Sequence, residues 1–531
     1  MIKKNAMQKI LVLFSLLFVL KGNAQNEVLW VVSGAQTPTS IALRAKLSNN
    51  SNQVRALLST NNPPSAPFIY STTSIADLAT NNRIVKLEAS GLQPNTRYYY
   101  IIEADGQPDN STDDIGSFMT PNTGPTSFTF MAGSCNREPN TKTYNDFLAY
   151  NPLFYLNSGD LHYADPNSND VNIHRAAYED RIFTRPLQVN LFRQLPLVYV
   201  WDDHDYCGNA DDGPRATGAT SAAKAYREYI PHFPFPPRTG ADSGAIYQSF
   251  EIGRVKFILS DLRSQRKRND TTAMGLVQKE WFKKQLVDAR NRNLMTCWVG
   301  SYSWYGTVDD NWVLNPTERK EICEFMRDSL IENLFMINGD AHMFAIDNGS
   351  NGDFTTAKNL PYKYPVLQAG PIENSGSFKG GTYSEGTYYV FFQKAAQYGV
   401  VNVQDNGGDS ICVTLTGYKK DLTTEATTQL VQYSFCRKLG AYIAGVPALN
   451  YEETQIDVYP NPSTGEFFFR SHENKEAKVS IYSSDGRFLF ASNLAPNTVL
   501  PIKLNGFSAG VYQAEIKIGN SVFTKKLIVC P

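Results

Sequence analysis

Excess charge of one sign and long apolar segments are both scarce in this sequence. Its 531 residues carry 50 basic and 51 acidic side chains, a formal net charge of −1 at pH 7. That balance excludes the strongly basic surface of a dedicated nucleic-acid or anionic-membrane binder. After residue 20, no run reaches the roughly 18 apolar residues needed to cross a bilayer. We therefore expect no stable nucleic-acid binding and no transmembrane segment in the mature chain.

Charged residues are also few, at 19%, beside 42% hydrophobic and 12% aromatic residues. This composition differs from that of coiled coils, collagens and disordered chains. The 36 glycines and 28 prolines, together with 29 Tyr and 30 Phe, favour short strands and turns over a helical bundle. At about 150 residues per domain, the length predicts three or four domains.

The first 24 residues have the pattern of a secretory signal peptide. Lys3, Lys4 and Lys9 provide a positive start, and residues 10–20 form an apolar run. The small residues at 22–24 then precede a predicted cleavage site. The apolar run is too short to anchor the chain in a membrane. We expect Sec-dependent export, with the periplasm as a place of transit.

The last residues, 456–531, are predicted to form a small all-β module behind a linker at 444–455. A turn-rich stretch at 459–465 (YPNPSTG) precedes alternating residues at 478–482, a hairpin turn and a final strand at 523–529. The YPNPSTG beginning and the KKLIV ending resemble the C-terminal sorting domain of type IX secretion. The resemblance implies a secreted or cell-surface protein whose partner is the type IX secretion machinery. It leaves open whether the module is later removed, and a carbohydrate-binding or spacer module is the alternative.

Residues 27–122 also alternate as short strands and turns. Leu92, Pro94, Thr96 and Tyr98 follow an L-x-P-x-T-x-Y spacing, which predicts that the Tyr98 hydroxyl binds the backbone upstream as a tyrosine corner. The spacing resembles that of fibronectin type III domains, so we expect an immunoglobulin-like sandwich here. Because no cluster of ionisable residues lies in this segment, we assign it no chemistry.

Between residues 125 and 443, short apolar runs alternate with helical patterns. The predicted strands lie at 128–132, 153–156, 197–201, 255–259 and 334–337, and the predicted helices at 221–229, 277–290 and 316–334. Each strand is followed by polar residues. Since ligand sites in such strand–loop–helix units lie at the carboxyl ends of the strands, these residues are expected to meet in one crevice.

The polar residues that follow the strands suit metal binding. Asp160 and Tyr163 are three positions apart, so one helical turn would point both the same way. Asp340 and His342 are two apart, on one face of an extended segment. Carboxylates suit hard cations, whereas imidazole, thiolate and phenolate groups suit transition metals. The mixture predicts more than one metal ion, of more than one kind.

In this segment the sequence resembles the calcineurin-like metallophosphoesterases, and more closely the PhoD-type alkaline phosphatases. The shared motifs are a Cys after the first strand (Cys135), GD-x-x-Y, DDH at 202–204 and GD-x-H. With the preceding sandwich, the resemblance covers about residues 27–440. It implies an α/β metallophosphoesterase sandwich core of β-sheets flanked by helices, with an N-terminal all-β immunoglobulin-like sandwich and a small C-terminal all-β module.

The resemblance also implies site residues. The implied metal ligands are Cys135, Asp160, Tyr163, Asp203, Asp340 and His342. The first three would hold a ferric ion, Fe3+, and Asp160 would bridge to a Ca2+ site that the other three help to build. Other divalent metals are possible, and the division of the last three residues between the metals stays open.

The catalytic residues implied by the resemblance are His204 and Asp203, with His204 facing the phosphoryl group. The residues expected around the ligands or the substrate are Asn136, Asp202, Asp205 and Arg263. We expect Asp202 and Asp205 to orient His204, and Asp261 to form an ion pair with Arg263. Where the family often has other residues, this chain has Leu161, His162, Ala164 and Asp205. These departures leave the substrate open.

The resemblance therefore implies a secreted metal-dependent phosphoester hydrolase, an alkaline phosphatase D-like enzyme acting on phosphomonoesters, phosphodiesters or both. The enzymatic alternative is a phosphodiesterase or phospholipase-type hydrolase of lipid head groups or nucleic-acid backbones. The non-enzymatic alternative is a surface-displayed binding protein. The sequence carries no signal for an oligomeric state.

Seven cysteines in an exported chain suggest disulfides. Cys412 and Cys436 lie on neighbouring strand-like segments and are expected to pair. Cys297 with Cys323 is a second possible pair, and no partner is evident for Cys207 or Cys530.

Overall fold

The computed structural model describes residues 27–109, 114–138, 141–210, 212–213, 216–236, 244–267, 272–306, 310–390, 393–439, 456–461, 463–483, 487–503, 508–519 and 521–530. The predicted signal peptide and the predicted linker lie outside the described residues. Internal contacts divide the chain into two compact units, one up to residue 446 without 236–238, and one that contains these three residues and 447–531. No helix among the described residues is long and apolar enough to cross a membrane.

The N-terminal part of the first unit is a β-sandwich. Its elements are β1 (Val28–Thr37), β2 (Ser40–Leu47), β3 (Ser51–Ser59), β4 (Ile69–Tyr70), β5 (Ser74–Ala76), α1 (Leu78–Asn81), β6 (Ile84–Ser90), β7 (Arg97–Ala104), β8 (Gln107–Pro108) and β9 (Gly116–Met119). Alternate apolar residues of both sheets form one core between them. The Tyr98 hydroxyl accepts a hydrogen bond from the Gln93 N–H at 2.9 Å, which confirms the predicted corner contact. The fibronectin type III assignment itself stays a prediction.

The central part contains alternating strands and helices. They are β10 (Phe128–Gly133), β11 (Tyr155–Asn157), α2 (Val171–Tyr178), α3 (Pro186–Gln194), β12 (Leu197–Tyr199), α4 (Asp203–Tyr206), α5 (Ala219–Tyr229), β13 (Gln248–Ile252), β14 (Val255–Leu259), α6 (Leu276–Asn291), β15 (Met295–Gly300), α7 (Pro316–Asp328), β16 (Leu334–Asn338), β17 (Phe344–Asp347), β18 (Val366–Gln368), β19 (Asn374–Ser375), β20 (Gly386–Tyr388), β21 (Lys394–Ala395), β22 (Gln397–Gln404), β23 (Ser410–Lys420) and β24 (Thr427–Lys438). Two 3-10 helices (Lys142–Tyr150 and Trp312–Leu314) and a π-helix (Glu179–Phe183) connect some of them.

Two large sheets form the core of this part. One has the order β24-β23-β22-β10-β11-β12-β1-β2-β6, and the other has the order β13-β14-β15-β16-β18-β17-β20. Aromatic side chains from both sheets meet between them: the ring of Phe257 lies 5.5 Å from those of Phe130 and Phe154. Helices α6 and α7 cover the outer face of the second sheet, where Phe282 and Met326 join a separate apolar cluster. The predicted layered core of sheets flanked by helices is present.

The first sheet continues from the central part into the N-terminal sandwich. Strand β1 pairs in parallel with β12, with Gly34 opposite Leu197. A Cβ atom at Gly34 would lie only 2.6 Å from the Leu197 carbonyl oxygen, so this close approach requires glycine. The sandwich therefore shares one continuous sheet with the central part, and the domain boundary near residue 122 stays a prediction.

One predicted helix end is wrong. The apolar pattern at 316–334 predicted a helix to residue 334, but α7 ends at Asp328. Leu330 adopts a left-handed conformation (φ 50°), which a right-handed helix cannot contain, and Leu334 begins β16.

The cysteines follow one of the two predicted pairings. Cys412 and Cys436 form a disulfide between β23 and β24, at directly opposite positions. The Cys297–Cys323 pairing is wrong, because both side chains are thiols on opposite faces of the second sheet. Cys297 faces the core between the sheets, whereas Cys323 faces that sheet from α7 on the outside.

The second unit is all-β, as predicted. Its strands are β25 (Ile456–Tyr459), β26 (Glu466–Ser471), β27 (Ala477–Ser483), β28 (Phe488–Leu494), β29 (Val499–Lys503), β30 (Gly510–Ile518) and β31 (Ser521–Val529). They form sheets of three and four strands around a small apolar core.

Candidate metal centre

The carboxyl ends of β10, β11, β12 and β16 bring the predicted ligands together. The Cys135 N–H donates to the Gly159 carbonyl at 3.1 Å, and the Asn136 N–H donates to the Asp160 carbonyl at 2.8 Å, so the first two strand-end loops are joined through their backbones. Among the described residues, three sets of side chains each offer ligand atoms within 4.8 Å of one another. These sets are Cys135, Asp160 and His342; Asp160, Asp203 and His204; and Asp160, Asp202, Asp203 and Asp340.

The local backbone differs from both spacing predictions. Asp160, Asp340 and His342 all have positive φ angles, of 54°, 65° and 53°. The helical turn predicted between Asp160 and Tyr163 is therefore absent, and the segment from Asp340 to His342 is bent rather than extended. Left-handed backbone at non-glycine residues is strained and is concentrated at functional sites. Here these sharp turns aim the side chains of consecutive loops at one point.

The glycine that precedes Asp340 is required by a close approach of three chain segments. A Cβ atom at Gly339 would lie 2.3 Å from the Ser158 carbonyl oxygen and 2.7 Å from that of Ser301. Backbone oxygens of neighbouring strand-end loops cannot move aside cheaply. In the GD-x-H motif, Gly339 therefore permits the close packing of the loops, and Asp340 supplies a candidate metal ligand.

Tyr163 and His342 contact Asp160 and each other. The Tyr163 hydroxyl donates to Asp160 Oδ2 at 2.7 Å and lies 2.9 Å from His342 Nε2. His342 Nδ1 lies 2.9 Å from the Ser375 carbonyl, to which it donates, so Nε2 carries the lone pair that faces the cluster. Asn374 Nδ2 lies 3.4 Å from the same Nε2 as a second, more distant donor. The Asp160 carboxylate, the Tyr163 phenol and the His342 imidazole therefore converge on one point, where a metal ion would meet three ligand atoms.

Other acceptors of the cluster have no partner in the described residues. Asp160 Oδ1, Asp202 Oδ2 and Asp340 Oδ2 are buried without a hydrogen bond. Buried polar atoms are almost always paired in native structures, so such orphans indicate a missing ion or water. The mixed donor set of carboxylates, a thiol, a phenol and an imidazole fits hard and transition-metal cations together.

Charge in the cluster supports the same interpretation. Burial, and then neighbouring carboxylates, raises the pKa of Asp160 well above its usual range. Burial also raises the pKa of Asp202 to about 7 and that of Asp340 to about 6, although Arg263 and Lys379 respectively oppose the shift. Burial raises the pKa of the Cys135 thiol as well, together with the charges of Asp160 and Asp340. Cations at this position would allow these groups to ionise at neutral pH.

Arg263 binds the cluster and does not form the predicted ion pair with Asp261. Its guanidinium contacts the Asp202 carboxylate, lies 2.8 Å from Asp310 Oδ1 and reaches within 3.7 Å of Asp203. The Asp261 carboxylate instead accepts from Trp201 Nε1 and from the Arg263 backbone N–H.

The DDH segment begins the short helix α4. Asp205 accepts from the backbone N–H groups of Asp202 and His162, each at 3.0 Å, and so holds two loops together. Asp202 and Asp205 form a capping box that fixes the start of α4, and thereby the backbone that carries His204, whereas the contact to the His204 ring comes from Asp165. His204 Nδ1 lies 2.6 Å from Asp165 Oδ1.

Two further predicted residues have clear surroundings. The Asp203 carboxylate accepts a hydrogen bond from the backbone N–H of Ala210 at 2.6 Å. It also lies within the cluster of carboxylates formed with Asp160, Asp202 and Asp340. Asn136 is buried and accepts from the Thr141 hydroxyl at 2.7 Å, which places it under the Cys135 loop.

Sequence reasoning missed several residues around the site, among them Asp165, Asp310 and Lys379. Asp165 follows Tyr163 by two positions, so the motif could have included it. Lys379 contacts Asp340 from a glycine-rich loop that no strand-end pattern marks. Asp310 is linked to the site through its ion pairs with Arg263 and Arg266.

A family model described as PhoD-like phosphatase matches residues 128–407, which is more than half of the sequence. The chain belongs to the PhoD-like phosphatase family. A second model, the secretion system C-terminal sorting domain, matches residues 457–530 of this PhoD-like chain. The matched ranges include the candidate metal centre and nearly all of the second unit.

Two curated proteins are similar to this PhoD-like chain. Alkaline phosphatase D of Bacillus subtilis (strain 168) is 25% identical over 312 residues, which cover 49% of this chain and 53% of that protein. Purple acid phosphatase 15 of Arabidopsis thaliana is 23% identical over 318 residues, covering 55% and 53%. The chain spans about half the length of these curated relatives.

A solved structure described as the structure of PhoD supports the fold. It aligns with a TM-score of 0.60 at 17% identity, covering 78% of this chain and 92% of that chain. The PhoD-like architecture is therefore shared well beyond the strand-end motifs.

Proposed function

We propose that this protein is an exported, metal-dependent phosphoester hydrolase that uses Fe3+ and Ca2+. The observation that carries the proposal is the set of unpartnered buried carboxylate oxygens on Asp160, Asp202 and Asp340 beside the His204–Asp165 pair. Membership of the PhoD-like phosphatase family supports the reaction class. The C-terminal sorting domain indicates secretion or cell-surface export.

The residues divide between two positions for metal ions. Cys135 and His342 belong to one set of neighbouring ligand atoms with Asp160, and Tyr163 contacts both Asp160 and His342, whereas Asp203 and Asp340 belong to another set with Asp160. The thiol, phenol and imidazole suit iron, whereas carboxylates suit calcium. We therefore assign His342 to the proposed iron position, because its Nε2 lies beside the Tyr163 hydroxyl. When bound, the ions supply positive charge to the phosphoryl oxygens and lower the pKa of the attacking water.

His204 is positioned to transfer the proton. With Nδ1 donating to the Asp165 carboxylate, Nε2 is free to hold the proton that the leaving alkoxide oxygen requires. As the water oxygen bonds to phosphorus, the bond from phosphorus to the ester oxygen breaks, and this oxygen takes the His204 proton. Asp165 stabilises the imidazolium before the transfer. Arg263 fixes Asp202 and holds Asp203 from behind.

The decisive test uses the chain without residues 1–24, loaded with iron and calcium. Initial rates are measured on a nitrophenyl monoester and on the corresponding diester, with metal content determined in the same samples. We expect hydrolysis that is lost in Asp160→Asn together with bound metal. His204→Ala should keep its metal and lose turnover. Metal-loaded protein that hydrolyses neither ester would contradict the proposal and favour a binding role.

A further inference from the structure

The segment 376–381 (GSFKGG) lies directly on the turn that carries Asp340 and His342. The Ser377 N–H donates to the His342 carbonyl at 2.9 Å, and the Ser377 hydroxyl donates to the Ala341 carbonyl at 2.7 Å. Gly380 packs so close that an added Cβ would lie 2.4 Å from Met343 Cε. The backbone of this segment is therefore held in a constant position relative to the candidate metal ligands Asp340 and His342.

The segment presents one ammonium group to the cluster. Lys379 Nζ contacts Asp340 Oδ1 at 2.5 Å, while Asp340 Oδ2 has no partner in the described residues. The Lys379 side chain is 27% exposed and that of Asp340 only 4%. The Lys379 side chain thus touches a buried carboxylate with its ammonium and is also partly open to solvent.

Arg263, another cation that pairs with the clustered carboxylates, differs from Lys379 in its exposure. The Arg263 side chain is fully buried and is engaged by the carboxylates of Asp202 and Asp310. Its charge is therefore shielded from solvent and balanced by these two carboxylates. Among the described residues that form ion pairs with the clustered carboxylates, Lys379 is the cation that also reaches solvent.

We infer that Lys379 binds a non-bridging oxygen of the phosphoryl group and thereby selects phosphomonoesters over phosphodiesters. The inference rests on the proposed function, since it concerns the substrate of the same site. Asp340 has a second source of positive charge when metal is bound, and the Lys379 ammonium is then available to the substrate. A monoester is a dianion with three non-bridging oxygens, whereas a diester carries one charge and two such oxygens. An added fixed cation therefore favours the monoester.

The experiment compares the wild-type chain with Lys379→Met, Lys379→Arg and Lys438→Met, all loaded with iron and calcium. Lys438 is a matched surface control, because its side chain is 78% exposed and pairs with Asp409 away from the cluster. For each protein we would measure metal content, kcat/KM for a nitrophenyl monoester and its diester, and the affinity for inorganic phosphate by calorimetry. The phosphate measurement reports binding independently of turnover.

We expect Lys379→Met to keep its metal and to lower kcat/KM for the monoester by about 50-fold, the size of a lost hydrogen bond to a charged group. The diester value should fall by less than about 5-fold, because its single charge gains less from the ammonium. Phosphate affinity should fall by about 10-fold or more for the same reason. Lys379→Arg should retain the monoester preference, and Lys438→Met should match the wild type.

Equal losses for the two esters in Lys379→Met, or unchanged phosphate affinity, would overturn the inference. Loss of bound metal in both Lys379 variants would also overturn it, by showing that the lysine serves only to hold Asp340. If the wild type binds metal but hydrolyses neither ester, the proposed function fails. The phosphate affinities of wild type and Lys379→Met then still decide whether Lys379 binds phosphoryl oxygens.

Discussion

His204 Nδ1 lies 2.6 Å from the Asp165 carboxylate, and the His204 ring lies 4.0 Å from the Tyr163 ring. This pair links the GD-x-x-Y loop after β11 to the DDH segment after β12. The His204 imidazole is thereby held by Asp165, which binds its Nδ1, and by Tyr163, whose ring packs against it. The orientation of the proposed acid thus depends on a loop that also carries two candidate metal ligands.

Asp165→Asn should lower kcat by about 10-fold without changing metal content, because an amide holds the ring but does not stabilise the imidazolium. Steady-state rates on the monoester and elemental analysis would measure both effects. His204→Ala should cost more, and adding Asp165→Asn to it should cost little further, since the two residues act as one unit. Fully additive losses in the double variant would contradict the coupling.

Tyr163→Phe should abolish the visible absorption of the iron-loaded protein. A phenolate bound to ferric iron gives a charge-transfer band, and phenylalanine keeps the ring packing against His204 but removes the ligand oxygen. Absorption spectra of both proteins at equal iron content provide the measurement. A band of unchanged intensity in Tyr163→Phe would show that this tyrosine does not bind iron.

Asp160→Asn should change thermal stability in opposite directions with and without metal. In chelator-treated protein the variant should melt at a higher temperature, because folding of the wild type must keep Asp160 protonated among other buried carboxylates, a cost that asparagine does not have. With metal added it should melt lower than the wild type, because the binding energy that stabilises the folded chain is lost. Calorimetric scans with chelator and with metal distinguish the two. The same direction under both conditions would argue against a metal at Asp160.

Replacing Cys412 and Cys436 by serine should lower the free energy of unfolding by about 3 kcal/mol. The disulfide closes a loop with a sequence separation of 24, and loops of this length restrict the unfolded chain by about that amount. Urea unfolding of the double variant against the wild type measures the loss. Activity should be unaffected, because both residues lie on β23 and β24, at the sheet edge. A loss below about 0.5 kcal/mol would show that the sheet alone restricts this segment.

His232 should make the folded chain sensitive to acid. Burial lowers the pKa of His232 from the usual 6.5 to about 4. The unfolded chain therefore takes up this proton at higher pH than the folded chain does. The stability that His232 contributes is complete above pH 6.5 and is lost as the pH falls toward 4, by at most about 3 kcal/mol.

The matched variant is His232→Asn, whose amide can still donate to the Phe233 carbonyl as His232 Nδ1 does at 2.9 Å. We expect it to lose less stability than the wild type between pH 6.5 and 4, measured by urea unfolding at several pH values. Parallel pH dependence of the two proteins would show that other groups dominate acid unfolding.

Much of the site was predictable from local sequence pattern. Short apolar runs followed by Cys135, Asp160, Asp203 and Asp340 marked strand ends, and the carboxyl ends of parallel strands share one edge of a sheet. The convergence of these residues follows from that rule alone. Their backbone conformations did not follow, because spacing cannot distinguish a helical or extended turn from a left-handed one.

The sequence by itself determined five of the central strands, helices α5 and α6, the beginning of α7, the all-β end module and the ligand types, because burial and periodicity are recorded in neighbouring residues. Only the tertiary structure decided the partners of single side chains: Asp165 for His204, Asp202 for Arg263, and Lys379 for Asp340. It also decided that β1 pairs with β12. These contacts join residues far apart in the chain, and which of several charged groups meet depends on how the loops turn and pack. No local pattern carries that information.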